Sequence, residues 1–319
     1  MNMLRKLLLA AALTGALAAN GAMPAPVAAR APAVQPTRFS VVVEGSGPDV
    51  ILIPGLTSSR HVYDQAVASL GGHYRVHRLQ VAGFGGEPAR GNATGPVLAP
   101  IVEELHAYIA ANHLRRPMIV GHSAGGLMAL MLAQRHPEDV SRALIVDSLP
   151  FYGMLFGPQA TAASLAPQVA TLRDAMAAMN DDAWRAQQTA AAARLASTAA
   201  GQAELVADSM ASDRSVVARA LYEDATTDMR PLLPTIRTPL TVLYAVNPFA
   251  SEASYGQLMH AGYAAAPDVR LIPVEPSYHF IMLDQPARFD ALLGAFLRGE
   301  RACGQTRLNN AGIPEPRPC

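Results

Sequence analysis

Residues 118–125 read Met-Ile-Val-Gly-His-Ser-Ala-Gly, and this stretch decides the fold of the chain. The apolar residues 118–120 predict a β-strand, and a helical pattern begins at Ala124 and continues to His136. Ser123 then stands at the tip of a tight turn from strand to helix, which pushes its hydroxyl out of the sheet. Gly121 and Gly125 carry no side chain, so the strand and the helix can approach closely enough to make that turn.

Strands and helices also alternate on both sides of this turn. Seven short apolar segments, rich in β-branched residues, predict strands: Phe39 to Glu44, Val50 to Ile53, Tyr74 to Val81, Met118 to Val120, Ala143 to Val146, Leu240 to Ala245 and Val269 to Val274. Four segments of helical period predict helices: Leu98 to Asn112, Ala124 to His136, Glu252 to Ala265 and Gln285 to Leu297. Apolar strands separated by helices predict an α/β fold, with a mainly parallel central sheet flanked by helices.

A segment rich in alanine and methionine interrupts the alternation at residues 151–234. It has helical patterns but no convincing strand, and residues typical of helix starts occur at Asn180 and at Ser212-Asp213. It predicts a helical lid over the carboxyl edge of the sheet, or more simply a helical extension of the core. The predicted organisation is a core of residues 38–150 and 235–300, this insertion, and a C-terminal tail of residues 301–319.

Composition excludes several classes of protein. The chain has 319 residues, of which 50% are hydrophobic and 16% charged, so it can bury a large core and is not disordered overall. Its 25 basic residues are balanced by 25 acidic ones, so no long-range field would attract a nucleic acid. We therefore expect no nucleic-acid partner.

The N-terminal sequence predicts export. Arg5 and Lys6 precede an uncharged run from Leu7 to Ala19, which is too short to span a bilayer. Residues 1–29 are therefore predicted to be a signal peptide and leader, with an uncleaved membrane anchor as the alternative. The expected location is secreted or periplasmic, with no stable membrane span after cleavage. In such an oxidising compartment we expect a disulfide between Cys303 and Cys319, although two free thiols are the alternative.

Three further stretches carry a resemblance to a known family. Residues 53–57 (Ile-Pro-Gly-Leu-Thr) end an early strand, and residues 82–85 (Ala-Gly-Phe-Gly) follow the next strand. His279 precedes Phe280 and the run Leu-Asp-Gln-Pro at residues 283–286. With the turn at Ser123, these stretches resemble the α/β-hydrolase superfamily over Phe39 to Leu297. The resemblance is to its lid-bearing branch of esterases, lipases, aminopeptidases and dehalogenase-like enzymes.

The resemblance implies a serine nucleophile and a histidine base. A serine hydroxyl is a poor nucleophile until a base removes its proton, and His279 follows the last predicted strand, where it can reach Ser123. The backbone N–H groups of Leu56 and Ala124 are the implied oxyanion hole. The family usually has histidine where this chain has Pro54, which should change the rigidity of the loop more than its donors. Dehalogenase chemistry is disfavoured, because that branch requires an aspartate at position 123.

The third catalytic residue is left open between two carboxylates. Most relatives place an acid after the strand that corresponds to Leu240 to Ala245, where the first carboxylate here is Glu252. Other branches take it from the end of the preceding strand, where this chain has Asp147. A carboxylate there would hold the tautomer of the histidine and stabilise its cation. We favour Asp147, because a strand end is a more rigid mount than a loop.

These residues predict a serine hydrolase that cleaves a carboxylic ester or a similar acyl substrate, without a metal or an organic cofactor. The apolar insertion favours a small hydrophobic acyl substrate. An aminopeptidase-like or lactone-cleaving hydrolase is an alternative, and a noncatalytic ligand-binding protein on the same fold is another. An aminopeptidase would need acids in the insertion to hold the substrate amine. Acids available there include Glu204, Asp208, Asp213, Glu223 and Asp224. Helices also carry such residues for solubility, so these acids do not decide between the two activities.

Overall fold

A seven-stranded sheet lies at the centre of the fold. The computed structural model describes residues 36–157 and 159–300, and two short tail strands at residues 306–308 and 314–316. The predicted signal peptide and both cysteines lie outside the described residues. The strands are β1 (Phe39–Glu44), β2 (Asp49–Ile53), β3 (Arg75–Val81), β4 (Met118–His122), β5 (Arg142–Val146), β6 (Leu240–Ala245) and β7 (Val269–Val274). The tail strands β8 (Thr306–Leu308) and β9 (Pro314–Pro316) pair with each other in antiparallel fashion.

The strand order in the large sheet is β1-β3-β2-β4-β5-β6-β7. Only β1 is antiparallel to its neighbour, and the other pairs are parallel. Alternate residues of the central strands enter two separate cores, one on each face of the sheet. Ile51 and Ile119 belong to one core, whereas Leu52 and Val120 belong to the other. Burial on both faces explains why these strands are apolar without interruption, and it confirms the predicted α/β fold.

Ten helices accompany the strands in the described part of the chain. They are α1 (Asp64–Ser69), α2 (Leu98–Ala111), α3 (Ala124–Arg135), α4 (Ala162–Ala178), α5 (Asp181–Leu195), α6 (Ala199–Ala211), α7 (Arg214–Thr226), α8 (Gln257–Tyr263), α9 (Ile281–Asp284) and α10 (Pro286–Arg298). None of the described helices combines the length and the apolar character that a membrane span requires.

The insertion between β5 and β6 contains the four helices α4 to α7. The side chain of Asn180 accepts a hydrogen bond from Ala183 N at the start of α5, and Asp213 accepts two at the start of α7. These side chains satisfy N–H groups that have no partner within their helix, as the sequence pattern predicts.

Helix α7 is tied to the core along its length. The Glu223 carboxylate accepts hydrogen bonds from the N–H groups of Val97 and Leu98, where α2 begins. The backbone N–H of Asp213 donates to the carbonyl of Gly83 at 2.8 Å. In the middle of the helix, an Arg219 guanidinium nitrogen donates to the carbonyl of Asn92 at 2.7 Å. Contacts at both ends and in the middle therefore anchor α7.

Candidate active site

Ser123 occupies the turn between β4 and α3. Its backbone has φ 54° and ψ −124°, a region that residues other than glycine rarely adopt. A Cβ atom on Gly125 would lie 2.3 Å from the carbonyl oxygen of Ile53, and one on Gly121 would lie 2.1 Å from that of Gly125. Neither position can carry a side chain without moving backbone. The two glycines therefore allow the close approach that holds Ser123 in its strained conformation.

His279 and Asp147 are in direct contact. His279 lies after β7, and its Nδ1–H donates to Asp147 Oδ2 at 2.6 Å. Asp147 follows the end of β5 and is only 5% exposed. Its second oxygen, Oδ1, accepts a hydrogen bond of 2.9 Å from the backbone N–H of Ala245. Because Nδ1 carries the proton in this contact, the other ring nitrogen, Nε2, is left as the basic one.

Glu252, the other predicted acid, lies elsewhere. Its Oε1 accepts a hydrogen bond of 2.8 Å from the hydroxyl of Tyr244, and it begins a single turn of π-helix rather than a free loop. The structure thus brings Asp147, and not Glu252, against His279. The position of Asp147 at a strand end favoured it in the sequence, but the contact itself joins residues 132 positions apart and could not be read from a local pattern.

His122 is a neighbour of the site that the sequence did not single out. It is fully buried, its ring lies 4.6 Å from that of His279, and its Nε2–H donates to the His279 carbonyl at 3.1 Å. Burial, with a smaller contribution from the nearby His279, lowers the pKa of His122 well below its ordinary value. The ring is therefore neutral at neutral pH and holds the His279 backbone in place. In the sequence, the position of His122 directly before Ser123 could have indicated that it lies next to the site.

A cavity of about 730 Å³ opens beside these residues, a volume typical of small-molecule sites. Ser123, His279, Asp147 and Leu56 all line it, and Ala124 is buried at the first position of α3. The insertion supplies much of the remaining lining, which is mostly apolar: Leu155, Leu172, Met176, Trp184, Leu205, Val217 and Leu221. The structure thus gathers the predicted nucleophile, base and favoured acid around one apolar cavity.

Asp224 of α7 also lines the cavity, although no sequence pattern favoured it among the acids of the insertion. Burial raises its pKa from the ordinary 3.8 to about 7, and the neighbouring His279 opposes this rise. A carboxyl group with such a pKa in a cavity is a feature of functional sites.

Comparison with known proteins identifies the family. A family model described as the alpha/beta hydrolase family matches residues 50–292. The chain is 35% identical to the putative carbamate hydrolase RutD of Yersinia enterocolitica over 101 residues, which cover 32% of this chain and 36% of that protein. It is 36% identical to the pimeloyl-[acyl-carrier protein] methyl ester esterase of Aeromonas hydrophila over 117 residues, which cover 36% and 44%. The chain thus spans less than half the length of these relatives.

Solved structures show the same fold over most of the chain. The enol-lactonase of Burkholderia xenovorans LB400 aligns with a TM-score of 0.66 and 20% identity, over 82% of this chain and 96% of that one. A thermophilic esterase of Thermogutta terrifontis aligns with a TM-score of 0.68 and 17% identity, over 83% and 98%. With the family match over more than half of its residues, the chain belongs to the alpha/beta hydrolase family.

Proposed function

We propose that this chain is a serine hydrolase that cleaves a carboxylic ester through an acyl-enzyme intermediate. The observation that carries the proposal is the 2.6 Å hydrogen bond between His279 Nδ1 and Asp147 Oδ2, in a cavity that Ser123 also lines. This contact leaves Nε2 of His279 as a base, and the strained turn at Ser123 presents a hydroxyl to the same space.

The reaction then proceeds by two acyl transfers. Ser123 Oγ attacks the carbonyl carbon of the ester while His279 Nε2 takes the hydroxyl proton, and the backbone N–H groups of Leu56 and Ala124 bind the oxyanion. His279 returns that proton to the departing alkoxide, which leaves as an alcohol. Water next attacks the acyl carbon and gives a proton to His279, and Ser123 leaves with that proton as the acid is released. Asp147 stabilises the imidazolium in both halves.

The apolar lining favours a small hydrophobic acyl group as substrate. The names of the relatives span a methyl ester, a carbamate and an enol-lactone, all of which present a carbonyl with an oxygen or nitrogen leaving group. Amide or lactone cleavage would use the same residues in the same steps. A methyl or other simple ester is therefore the first substrate to test.

Labelling with a fluorophosphonate tests the mechanism, because such probes react only with an activated serine. We expect the intact mass of the parent to rise by a single adduct and that of Ser123→Ala to stay unchanged. Ser148→Ala is the matched control: Ser148 lines the same cavity, and its loss should leave the adduct in place. An unlabelled, folded parent would instead support a noncatalytic binding protein, and an adduct on Ser123→Ala would assign a different nucleophile.

We also propose that the protein is exported and loses its leader, on the sequence pattern of residues 1–29. Expression of the full chain in a Gram-negative host should yield protein in the periplasm or the medium. Its intact mass should correspond to cleavage after one of the small-residue sites near Ala18 or Ala29. Recovery of the full-length mass in the membrane fraction would support the uncleaved anchor.

A further inference from the structure

The Asp224 carboxyl group has no hydrogen-bond or ion-pair partner in the described residues. It is 7% exposed and lines the cavity, yet none of the described residues forms a hydrogen bond or an ion pair with its side chain. A carboxyl group that is largely removed from water and has no such partner is costly to charge, so a cationic ligand in the cavity would stabilise it.

Of the other four acids named in the sequence analysis, three have structural partners. Asp208 accepts a hydrogen bond of 2.6 Å from the backbone N–H of Ser59. Asp213 caps α7, and Glu223 accepts from the first N–H groups of α2. Glu204 is half-buried and does not line the cavity. Of these five acids, only Asp224 lines the cavity.

The surroundings of Asp224 favour a cation over a neutral partner. Burial raises the pKa of Tyr152, and the charge of Asp224 adds to this rise, so the two groups interact within the same cavity. Trp184 lines the cavity as well, and aromatic side chains attract ammonium groups. His279 also faces Asp224, but its Nδ1 already binds Asp147.

We propose that Asp224 binds a protonated amine of the substrate, so that the cavity selects esters that carry an ammonium group away from the scissile carbonyl. The ester cleavage in this proposal rests on the proposed function, whereas the binding of an ammonium group by Asp224 does not depend on it. The ammonium nitrogen donates hydrogen bonds to the Asp224 carboxylate, and its charge replaces the missing counter-ion.

The effect of Asp224→Asn on stability separates a ligand-binding role from a purely structural role for Asp224. Because the folded-state pKa of about 7 lies above the ordinary 3.8, the folded chain holds the proton more tightly than the unfolded chain. Folding stability from this group is therefore full at low pH and falls as the pH rises towards 7. Asp224→Asn should raise the Tm by roughly 3 °C or more at about pH 8 and by much less at about pH 5. A lower Tm at about pH 8 would show that the carboxylate is a structural group.

Calorimetric titration with hexylammonium and with hexanol tests the ammonium site without any turnover. At about pH 8 we expect hexylammonium to bind the parent roughly 10- to 100-fold more tightly than it binds Asp224→Asn, as for a buried hydrogen bond to a charged group. Hexanol should bind both proteins alike. Glu204→Gln, which removes one acid of the insertion outside the cavity lining, is the matched control and should bind hexylammonium like the parent. At about pH 5 the difference between the parent and Asp224→Asn should shrink at least tenfold, because Asp224 is then protonated.

Equal hexylammonium affinity for the parent and Asp224→Asn would overturn the proposal, and so would an equal loss in Glu204→Gln. Fluorophosphonate labelling of the same proteins separates the two claims. An ammonium site in a protein that is not labelled keeps this inference and removes the proposed reaction. If the parent is labelled but binds hexylammonium no more tightly than Asp224→Asn does, the proposed reaction is kept and this inference is removed.

Discussion

Replacing Ser123 by alanine is expected to lower kcat for hydrolysis of a short p-nitrophenyl ester by roughly 10⁵- to 10⁶-fold, as for other serine nucleophiles. The proposed acyl-enzyme route requires the oxygen at this position, and without it the proposed oxyanion donors would assist only a slow direct attack by water. The fold should survive, because alanine at φ 54° is strained no more than serine is. Steady-state rates of the purified variant, with circular dichroism to check folding, measure the effect.

Ser148→Ala again serves as the control, since it removes a hydroxyl from the same cavity. We expect it to keep kcat within about threefold of the parent, as is usual for a change that touches no catalytic group. A folded Ser123→Ala variant that retains a tenth of the parent rate would assign the chemistry to another residue. Comparable losses in both serine variants would point to damage of the cavity rather than to a nucleophile.

Asp147→Asn should lower kcat by about 10³- to 10⁴-fold with little change in KM. An asparagine at this position can donate its NH₂ group to Nδ1 of His279, which would move the ring proton to Nε2 and remove the base. It also removes the negative charge that stabilises the imidazolium. The pH dependence of kcat, measured beside the rate itself, separates this effect from a general loss of folded enzyme.

Glu252→Gln is the matched control for this prediction, because it neutralises the other carboxylate that the sequence offered. Glu252 contacts Tyr244 and not His279, so we expect a kcat within about threefold of the parent. The reverse result, with Glu252→Gln inactive and Asp147→Asn active, would exchange the two assignments. Equal small effects would show that His279 acts without a fixed carboxylate.

The sequence alone was sufficient to predict the strands of the sheet and the turn at Ser123. Strands buried on both faces leave a continuous apolar pattern, so the observed strands agree with the predicted segments to within one or two residues. Helix α1 was missed, because the six residues Asp64–Ser69 are too few for a helical period to emerge. Asn180 and Asp213 marked the starts of α5 and α7, because capping depends on residues only two or three positions apart.

The parts of the site that depend on distant contacts could not be predicted. The choice between Asp147 and Glu252 depends on where the loop after β7 places His279, which no local pattern encodes. The burial of His122 and Asp224 likewise comes from several elements that meet only in the folded chain. A raised pKa of about 7 is thus a property of the fold rather than of the residue type.

The anchoring of α7 has a consequence for discrimination among substrates. Because the helix is held at Asp213, Arg219 and Glu223, the backbone that carries Asp224 should keep its position when a ligand enters the cavity. A neutral guest gains no charge pairing at the carboxyl group, so it should bind more weakly than an ammonium guest of the same size. Selectivity in such a site arises from the rigidity of the helix that carries the charge, and a looser α7 would admit a wider range of esters.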